Sequence, residues 1–244
     1  MSTKNKVIAI SLSIIAINSH YLYAADTHAH SPHPHAPKRL RVTPNLVTED
    51  AWTVNLESNT YQGTVYLSPM IDYSGKNGWD ISIATYNIPV QGGGAQNFEY
   101  DTYLGLSKTF QVNNKTQVLV GTQDGTTLLA SPREWHQFHF ANVRYDVFSA
   151  LNIYVGPYYA NQQLTTTVNQ VGFMTGMQLK VIPNKIHIQA DYVSGHQNVS
   201  GAVVNLQWFV VPKFQLYMGI IVPETNSGNE FAGIFGFNWS TKAL

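Results

Sequence analysis

Between Trp52 and Trp239 the sequence repeats one pattern about twelve times: a run of roughly ten residues in which apolar side chains take every second position. In the first run, Trp52 and Val54 alternate with Thr53 and Asn55. Successive side chains of a β-strand point to opposite faces. Each run therefore predicts a strand with one apolar face and one polar face.

Charge falls almost entirely on the polar face of these predicted strands. On the apolar face we find only Lys108 charged, and it lies near a strand end, where an ammonium group can reach lipid headgroups. A charged side chain facing lipid costs about 2–4 kcal/mol at the bilayer midplane, whereas the outer face of a soluble barrel carries scattered charges. The asymmetry predicts that lipid covers the apolar face. The polar face is expected to line the lumen with Asp72, Asp80, Glu99, Asp101, Asn142, Arg144, Asp146, Gln178, His187, Gln189 and Asp191.

The connections between the runs are alternately short and long. We expect short turns at 74–78, 113–115, 149–150, 183–185 and 212–213, and longer loops at 58–62, 87–97, 123–137, 160–170, 194–200 and 223–230. Aromatic residues gather in two bands near the two rims. Together these features predict an all-β fold over residues 52–239, an up-and-down antiparallel transmembrane β-barrel of about 12 strands.

The N-terminal residues have the order of a secretory signal peptide. Lys4 and Lys6 precede an apolar stretch at 7–17 that is too short to span a bilayer. Small residues follow, so residues 1–25 are predicted to be removed by cleavage after Ala24 or Ala25. Residues 26–51 then form a His/Pro-rich periplasmic leader or plug.

The leader contains a cluster of imidazoles that could hold a metal ion loosely. His28, His30, His33 and His35 lie among prolines that keep the segment extended. Such a density of neutral imidazoles suits Cu(II), Ni(II) or Zn(II). Cleavage after Ala25 would add a free amine and two backbone amides to His28 for square-planar Cu(II) or Ni(II). The alternative is a histidine-rich leader without a metal role, and no other cofactor is expected.

Composition narrows the class of partner. The full chain has 14 Lys and Arg against 14 Asp and Glu, and removing the signal peptide removes only two lysines. A nearly neutral chain gives no electrostatic reason to bind nucleic acid. With no cysteine, disulfides and thiolate metal sites are excluded. Only 11% of residues are charged, well below the share in soluble domains.

In its strands and turns, the segment 52–239 resembles twelve-stranded, porin-like proteins of the bacterial outer membrane. The final run from Phe235 to Trp239 is similar to their aromatic closing strand. The resemblance implies an integral outer-membrane location, contact with outer-membrane lipid, insertion by the barrel assembly machinery and a periplasmic N-terminus. One departure is that such barrels usually end on an aromatic residue, whereas this chain continues through a tail at 240–244.

The function we expect is passive passage of small neutral or cationic solutes through the lumen, without catalysis. The alternatives are a closed structural or surface-interaction barrel without transport and, third, an outer-membrane hydrolase. For the hydrolase, His187 and Asp191 share a face but lie about 13 Å apart at strand spacing, too far for a hydrogen bond. Oligomeric state is left open. Inward tyrosines either stack against solutes or fill the interior: Tyr66, Tyr86, Tyr103, Tyr154 and Tyr158.

Overall fold

The computed structural model describes residues 49–61, 63–92, 100–128, 134–165, 168–227 and 229–244. The predicted signal peptide and almost all of the leader lie outside these residues. The strands are β1 Ala51–Tyr61, β2 Thr64–Ser74, β3 Trp79–Tyr86, β4 Ile88–Gln91, β5 Tyr100–Asn113, β6 Thr116–Leu128, β7 Trp135–Phe148, β8 Leu151–Ala160, β9 Gln170–Ile182, β10 Ile186–Val193, β11 Gly201–Val211, β12 Phe214–Pro223 and β13 Ala232–Ser240. One short helix, α1 Gln162–Thr165, interrupts them within the described residues. No helix in this part of the chain is long and apolar enough to cross a membrane.

Antiparallel pairing runs around the whole sheet and closes it. β1 pairs with β2 on one side and with β13 on the other, from Thr53 opposite Ser240 to Thr60 opposite Gly233. β3 and the short β4 both pair with β2, and they are separated by a break at Asn87, whose φ is 63°. β3 and β4 therefore occupy one place in the ring. The predicted up-and-down barrel of twelve strands is confirmed.

The apolar side of the wall faces outward. Ile83, Leu104 and Val155 are 59%, 57% and 54% exposed, while the inward neighbours Ala84 and Tyr103 are 1% and 2% exposed. Leaving such large apolar side chains in water would forgo about 1.5–3 kcal/mol each. The surface is therefore suited to hydrocarbon tails.

Aromatic residues ring the short-turn rim on the outer surface. Trp52, Trp79, Phe110 and Trp239 are 43% to 54% exposed there. Lys108 also points outward. Its ammonium donates to the carbonyl oxygen of Asn77 in the turn and lies 5.0 Å from the centre of the Trp79 ring. The ammonium thus lies at the short-turn rim, and its contact with lipid headgroups stays a prediction.

Two expected loops are shorter than the sequence pattern predicts. β1 and β2 pair as far as Tyr61 and Thr64, so the loop predicted over 58–62 is a two-residue connection. β6 and β7 continue through most of the loop predicted over 123–137. From Thr122 to Thr126 on β6 and at Gln137 and His139 on β7 the outward side chains are polar, with His139 Nδ1 2.8 Å from Thr122 Oγ1. Asp124 also faces outward, which corrects the expectation of a single outward charge. On β6 the alternation was hidden because both faces are polar from Gln123 to Thr127.

Inward aromatic rings are matched to glycines on the next strand. A Cβ at Gly121 would lie 2.6 Å from Phe140 Cζ, closer than real side chains approach. The rings thus occupy space along the wall that a side chain would otherwise take. Five pairs, each in direct register, share this arrangement in the described residues: Tyr103 with Gly125, Phe140 with Gly121, Tyr154 with Gly176, Tyr158 with Gly172, and Tyr217 with Gly236.

Candidate functional site

The interior of the barrel holds every predicted lumen residue that the structure describes. Glu99 lies outside the described residues. Asn142, Asp101, Asp72 and His187 are 0%, 1%, 7% and 7% exposed. The other six also take inward positions in their strands: Asp80, Arg144, Asp146, Gln178, Gln189 and Asp191.

One group of these residues forms a hydrogen-bonded chain that ends on a carboxylate. Gln178 Nε2 donates to Gln207 Oε1 at 3.3 Å, Gln207 Nε2 to Gln189 Oε1 at 2.6 Å, and Gln189 Nε2 to Asp191 Oδ2 at 2.7 Å. Tyr154 donates to the other oxygen of Asp191 at 2.8 Å. The chain crosses β8 to β11 and fixes four inward side chains around one negative charge.

A second network joins β12, β13 and β1 and carries a further carboxylate. Asn55 Nδ2 donates to Asn238 Oδ1 at 2.7 Å and to the Tyr217 hydroxyl at 2.8 Å. Asn238 Nδ2 donates to Gln215 Oε1 at 2.5 Å. The Tyr217 hydroxyl donates to Glu57 Oε2 at 3.1 Å. Together the two networks form an amide-rich arc of the lumen wall, which runs from β8 through β13 to β1.

The opposite arc carries more charge. Asp72 and Asp80 line a cavity of about 60 Å³ together with Ser74, Ser82 and Ser107. On β7, Arg144 Nη2 lies 3.2 Å from Asp146 Oδ1, and this pair is only partly exposed. The lumen therefore has an amide-rich arc facing an acidic one.

A buried polar group under the long-loop rim was missed by the sequence analysis. His136 Nδ1 lies 2.6 Å from the Tyr103 hydroxyl and 3.9 Å from Asp101 Oδ1. Thr127 donates to Asp101 Oδ1 at 2.6 Å. His136 and Thr127 fell in the predicted loop over 123–137, so their inward position on β6 and β7 was not recognised. Asn205 and Gln207 were also missed, although alternation with outward Val204, Leu206 and Trp208 indicates their position.

Near the long loops the interior is filled by an apolar cluster. Leu164 of α1 and Val199 of the loop before β11 are 1% and 6% exposed inside the barrel. They join inward side chains of six strands: Ala84, Tyr86, Tyr103, Leu119, Phe138, Phe140, Tyr154, Tyr158, Ala160 and Met174. Tyr66 lies against a second cluster built on Tyr217 and Ile221. Four of the five inward tyrosines predicted to stack or to fill are thus buried packing residues. Tyr66 is partly buried.

The predicted metal ligands His28, His30, His33 and His35 lie outside the described residues. Within the described ranges, no group of three or more His, Asp or Glu side chains is placed to hold a metal ion.

Comparison of the closed ring with solved structures decides the fold. The KdgM porin has a TM-score of 0.57 and 11% identity, over 77% of this chain and 98% of that one. The chain has the fold of outer-membrane porins. The NanC porin gives a TM-score of 0.54 at 11% identity, over 79% of this porin-like chain and 100% of that one. A structure of the KdgM porin in complex with disordered oligogalacturonate gives a TM-score of 0.56 at 11% identity, over 78% of this chain and 98% of that one.

Sequence comparison adds no closer relative to the porin-like barrel. No protein-family model matches the chain. No curated protein matches it either.

Proposed function

We propose that the chain is an integral outer-membrane channel for passive passage of small neutral or cationic solutes. The observation that carries the proposal is the lumen's charge: on inward strand positions of the described residues, six carboxylates face two cationic side chains. The carboxylates are Glu57, Asp72, Asp80, Asp101, Asp146 and Asp191, and the cations are Arg144 and Lys180. A narrow lumen with low-dielectric walls focuses such a potential and attracts cations.

The same charge argues for a different solute from that of one similar porin. The KdgM porin was solved with oligogalacturonate, which is a polyanion. An acidic interior opposes the entry of a polyanion because like charges repel. Neutral and cationic solutes do not meet that barrier.

A second candidate function is a closed structural or surface-interaction barrel without transport. The apolar cluster around Leu164 and Val199 supports it, since both residues come from outside the strands and pack into the barrel. On this view the loops at the long-loop rim are contact surfaces. The two candidates differ in whether ions cross the barrel.

Single-channel recording separates them. The full mature protein is refolded, its folded state is checked by its heat-dependent migration on a gel, and it is inserted into a planar bilayer beside a known porin. We expect stepwise current with a reversal potential that favours cations. Absence of current where the reference porin conducts would refute the channel and favour the closed barrel.

The barrel's topology in the cell belongs to the same proposal. An even number of strands places both ends of the barrel at the short-turn rim, so a periplasmic N-terminus puts the short turns in the periplasm. Insertion by the barrel assembly machinery follows from the fold class. Protease digestion of intact cells, with a tag at residue 26 staying protected, is the test of this orientation.

A further inference from the structure

Two buried side chains on the amide-rich arc leave their polar atoms without partners. Both ring nitrogens of His187 lack a hydrogen-bond partner, as do Nδ2 and Oδ1 of Asn205, within the described residues. His187 is 7% exposed and Asn205 is 2% exposed. Both point inward, since outward Ile186, Ile188 and Val204 flank them in sequence. Buried polar groups of native proteins are almost always paired, so such a cluster calls for a cause.

The two side chains lie in one block on adjacent strands. His187 is opposite Gln207, and Asn205 is opposite Gln189. The two glutamines bond to each other across the block at 2.6 Å. The bonds of Gln189 and Gln207 go to each other, to Gln178 and to Asp191, so neither glutamine satisfies the inward-pointing side chains of His187 and Asn205.

An aromatic ring closes one side of the block. The Phe209 ring lies 4.6 Å from the His187 ring, centre to centre. Phe209 is opposite Gln215, at the end of β11 near the short turns. The block therefore offers an apolar surface beside amide and imidazole groups, all near the short-turn end of the lumen.

The charge around the block balances. Lys180 is opposite His187 on β9, and Asp191 lies on β10 beyond Gln189. One cation and one anion thus flank the imidazole and the side-chain amides of the block. A partner for Asn205 must both accept and donate hydrogen bonds, which a hydroxyl does and a simple ion does not.

We propose that His187, Asn205 and Gln207, with the Phe209 ring, form a lumenal subsite for a neutral saccharide. The hydroxyls of the sugar pair with the amide and imidazole groups, and an apolar face of the sugar ring lies against Phe209. The subsite rests on the proposed channel function and specifies which neutral solute the channel favours.

The test is block of single-channel current by three trisaccharides of matched size: maltotriose, trigalacturonate and the glucosamine trimer. Wild-type protein is expected to show saturable block by maltotriose, and a much weaker block by trigalacturonate. In Asn205→Leu the block by maltotriose is expected to weaken at least fivefold, while the block by the glucosamine trimer stays within twofold. Leucine keeps the number and branching of the side-chain heavy atoms and removes no bond made within the described part of the chain.

Matched variants guard against a misfolded barrel. His187→Leu is expected to weaken the maltotriose block in the same way, so either variant suffices if the other does not fold. The control is Gln123→Leu on β6, outside the proposed subsite. It removes the bond from the Gln123 amide to the Tyr86 hydroxyl at 3.0 Å and is expected to keep the wild-type block by maltotriose. Folding of each variant is checked by migration before and after boiling.

The outcomes separate the subsite from the channel. If the barrel conducts but maltotriose does not block it, the subsite is refuted while the channel function is retained. The same conclusion follows if maltotriose blocks the wild type and both leucine variants equally. Absence of current refutes the channel. In that case calorimetric titration of maltotriose into the detergent-solubilised barrel decides the subsite: heat of binding that is lost in Asn205→Leu supports it, and no heat overturns it.

Discussion

The ring of Tyr154 occupies the space that a side chain at Gly176 would fill. The two residues are directly opposite on β8 and β9, and Tyr154 Cζ lies 2.7 Å from where a Cβ of Gly176 would be. From this position the Tyr154 hydroxyl donates to Asp191 at 2.8 Å. The absence of a side chain at Gly176 thereby lets the Tyr154 ring lie along the wall.

Gly176→Ala is therefore expected to destabilise the barrel. The added methyl group forces the ring away, and overpacking of this kind costs about 1–3 kcal/mol. The displaced ring also gives up its bond to Asp191. Urea unfolding in micelles measures the change.

Gly233→Ala is the matched control for this prediction. A Cβ at Gly233 meets nothing within 4 Å, and the residue faces outward. Its unfolding free energy is expected to stay within about 0.5 kcal/mol of wild type. Equal destabilisation by both alanines would show that the loss of glycine itself, and not the ring, matters.

Asp124→Leu is expected to stabilise the barrel in bilayers. Asp124 faces outward on β6, so we expect its carboxylate to meet lipid. Removing it should raise the unfolding free energy by about 1 kcal/mol, since acidic residues cost less against lipid than lysine or arginine. Urea unfolding in vesicles measures this, with lumenal Gln123→Leu as the control for a change to leucine. A destabilised Asp124→Leu would count against lipid contact at this position.

The sequence predicted the barrel well where one face was apolar. In β11, outward Val204, Leu206 and Trp208 define the strand and, by alternation, the inward places of Asn205 and Gln207. A period of two carries that information residue by residue. The same rule failed for Asp124, which fell in the loop predicted over 123–137, because both faces of β6 are polar there and leave no contrast to detect.

The candidate site was less predictable than the wall. Inward positions of Asp72 and Asp191 followed from alternation, but their partners did not. The bond from Gln207 to Gln189 joins residues 18 positions apart, and that from Tyr217 to Glu57 joins residues 160 apart. Register between strands fixes such pairs, and the sequence pattern sets the face of a strand without setting its register. The packing of Leu164 into the interior depends likewise on how a loop folds back.

Lys242→Ala is expected to raise the pKa of Glu49. The Lys242 ammonium pairs with the Glu49 carboxylate beyond the ends of the strands and lowers its pKa from the ordinary value. A lowered folded-state pKa means that the pair stabilises above the unfolded pKa of the carboxyl and is lost as pH falls through the folded one. An NMR titration of the carboxyl carbon checks this. The control Lys213→Ala should leave the titration unchanged, and an unchanged midpoint in Lys242→Ala would contradict the pairing.

The leader is expected to bind Cu(II) in a way that depends on its first residue. A peptide beginning at Asp26 has a free amine, two amides and His28 in the spacing for square-planar coordination. A peptide beginning at Ala25 moves His28 one position on and lacks that arrangement. Titration followed by visible absorbance should show a tight one-to-one complex for the first peptide only. Identical spectra for both peptides would exclude the amine-linked site and leave loose binding by the histidines.

Neutralising the acidic arc is expected to reduce the cation preference of the channel. Asp72 and Asp80 line the same cavity on β2 and β3, and the Asp72→Asn, Asp80→Asn double variant removes both charges with little change in shape. At about 8 Å in water, each charge contributes about 0.5 kcal/mol to the energy of a passing ion. After screening by salt, the ratio of cation to anion permeability should therefore fall about two- to fivefold. Reversal potential under a KCl gradient measures it.

Asp124→Asn removes one charge of the same sign from the outer face of the same wall, so its reversal potential should match wild type. If the double variant also had the reversal potential of the wild type, Asp72 and Asp80 would not set the selectivity. Ions that pass along the acidic arc must respond to the loss of these two charges.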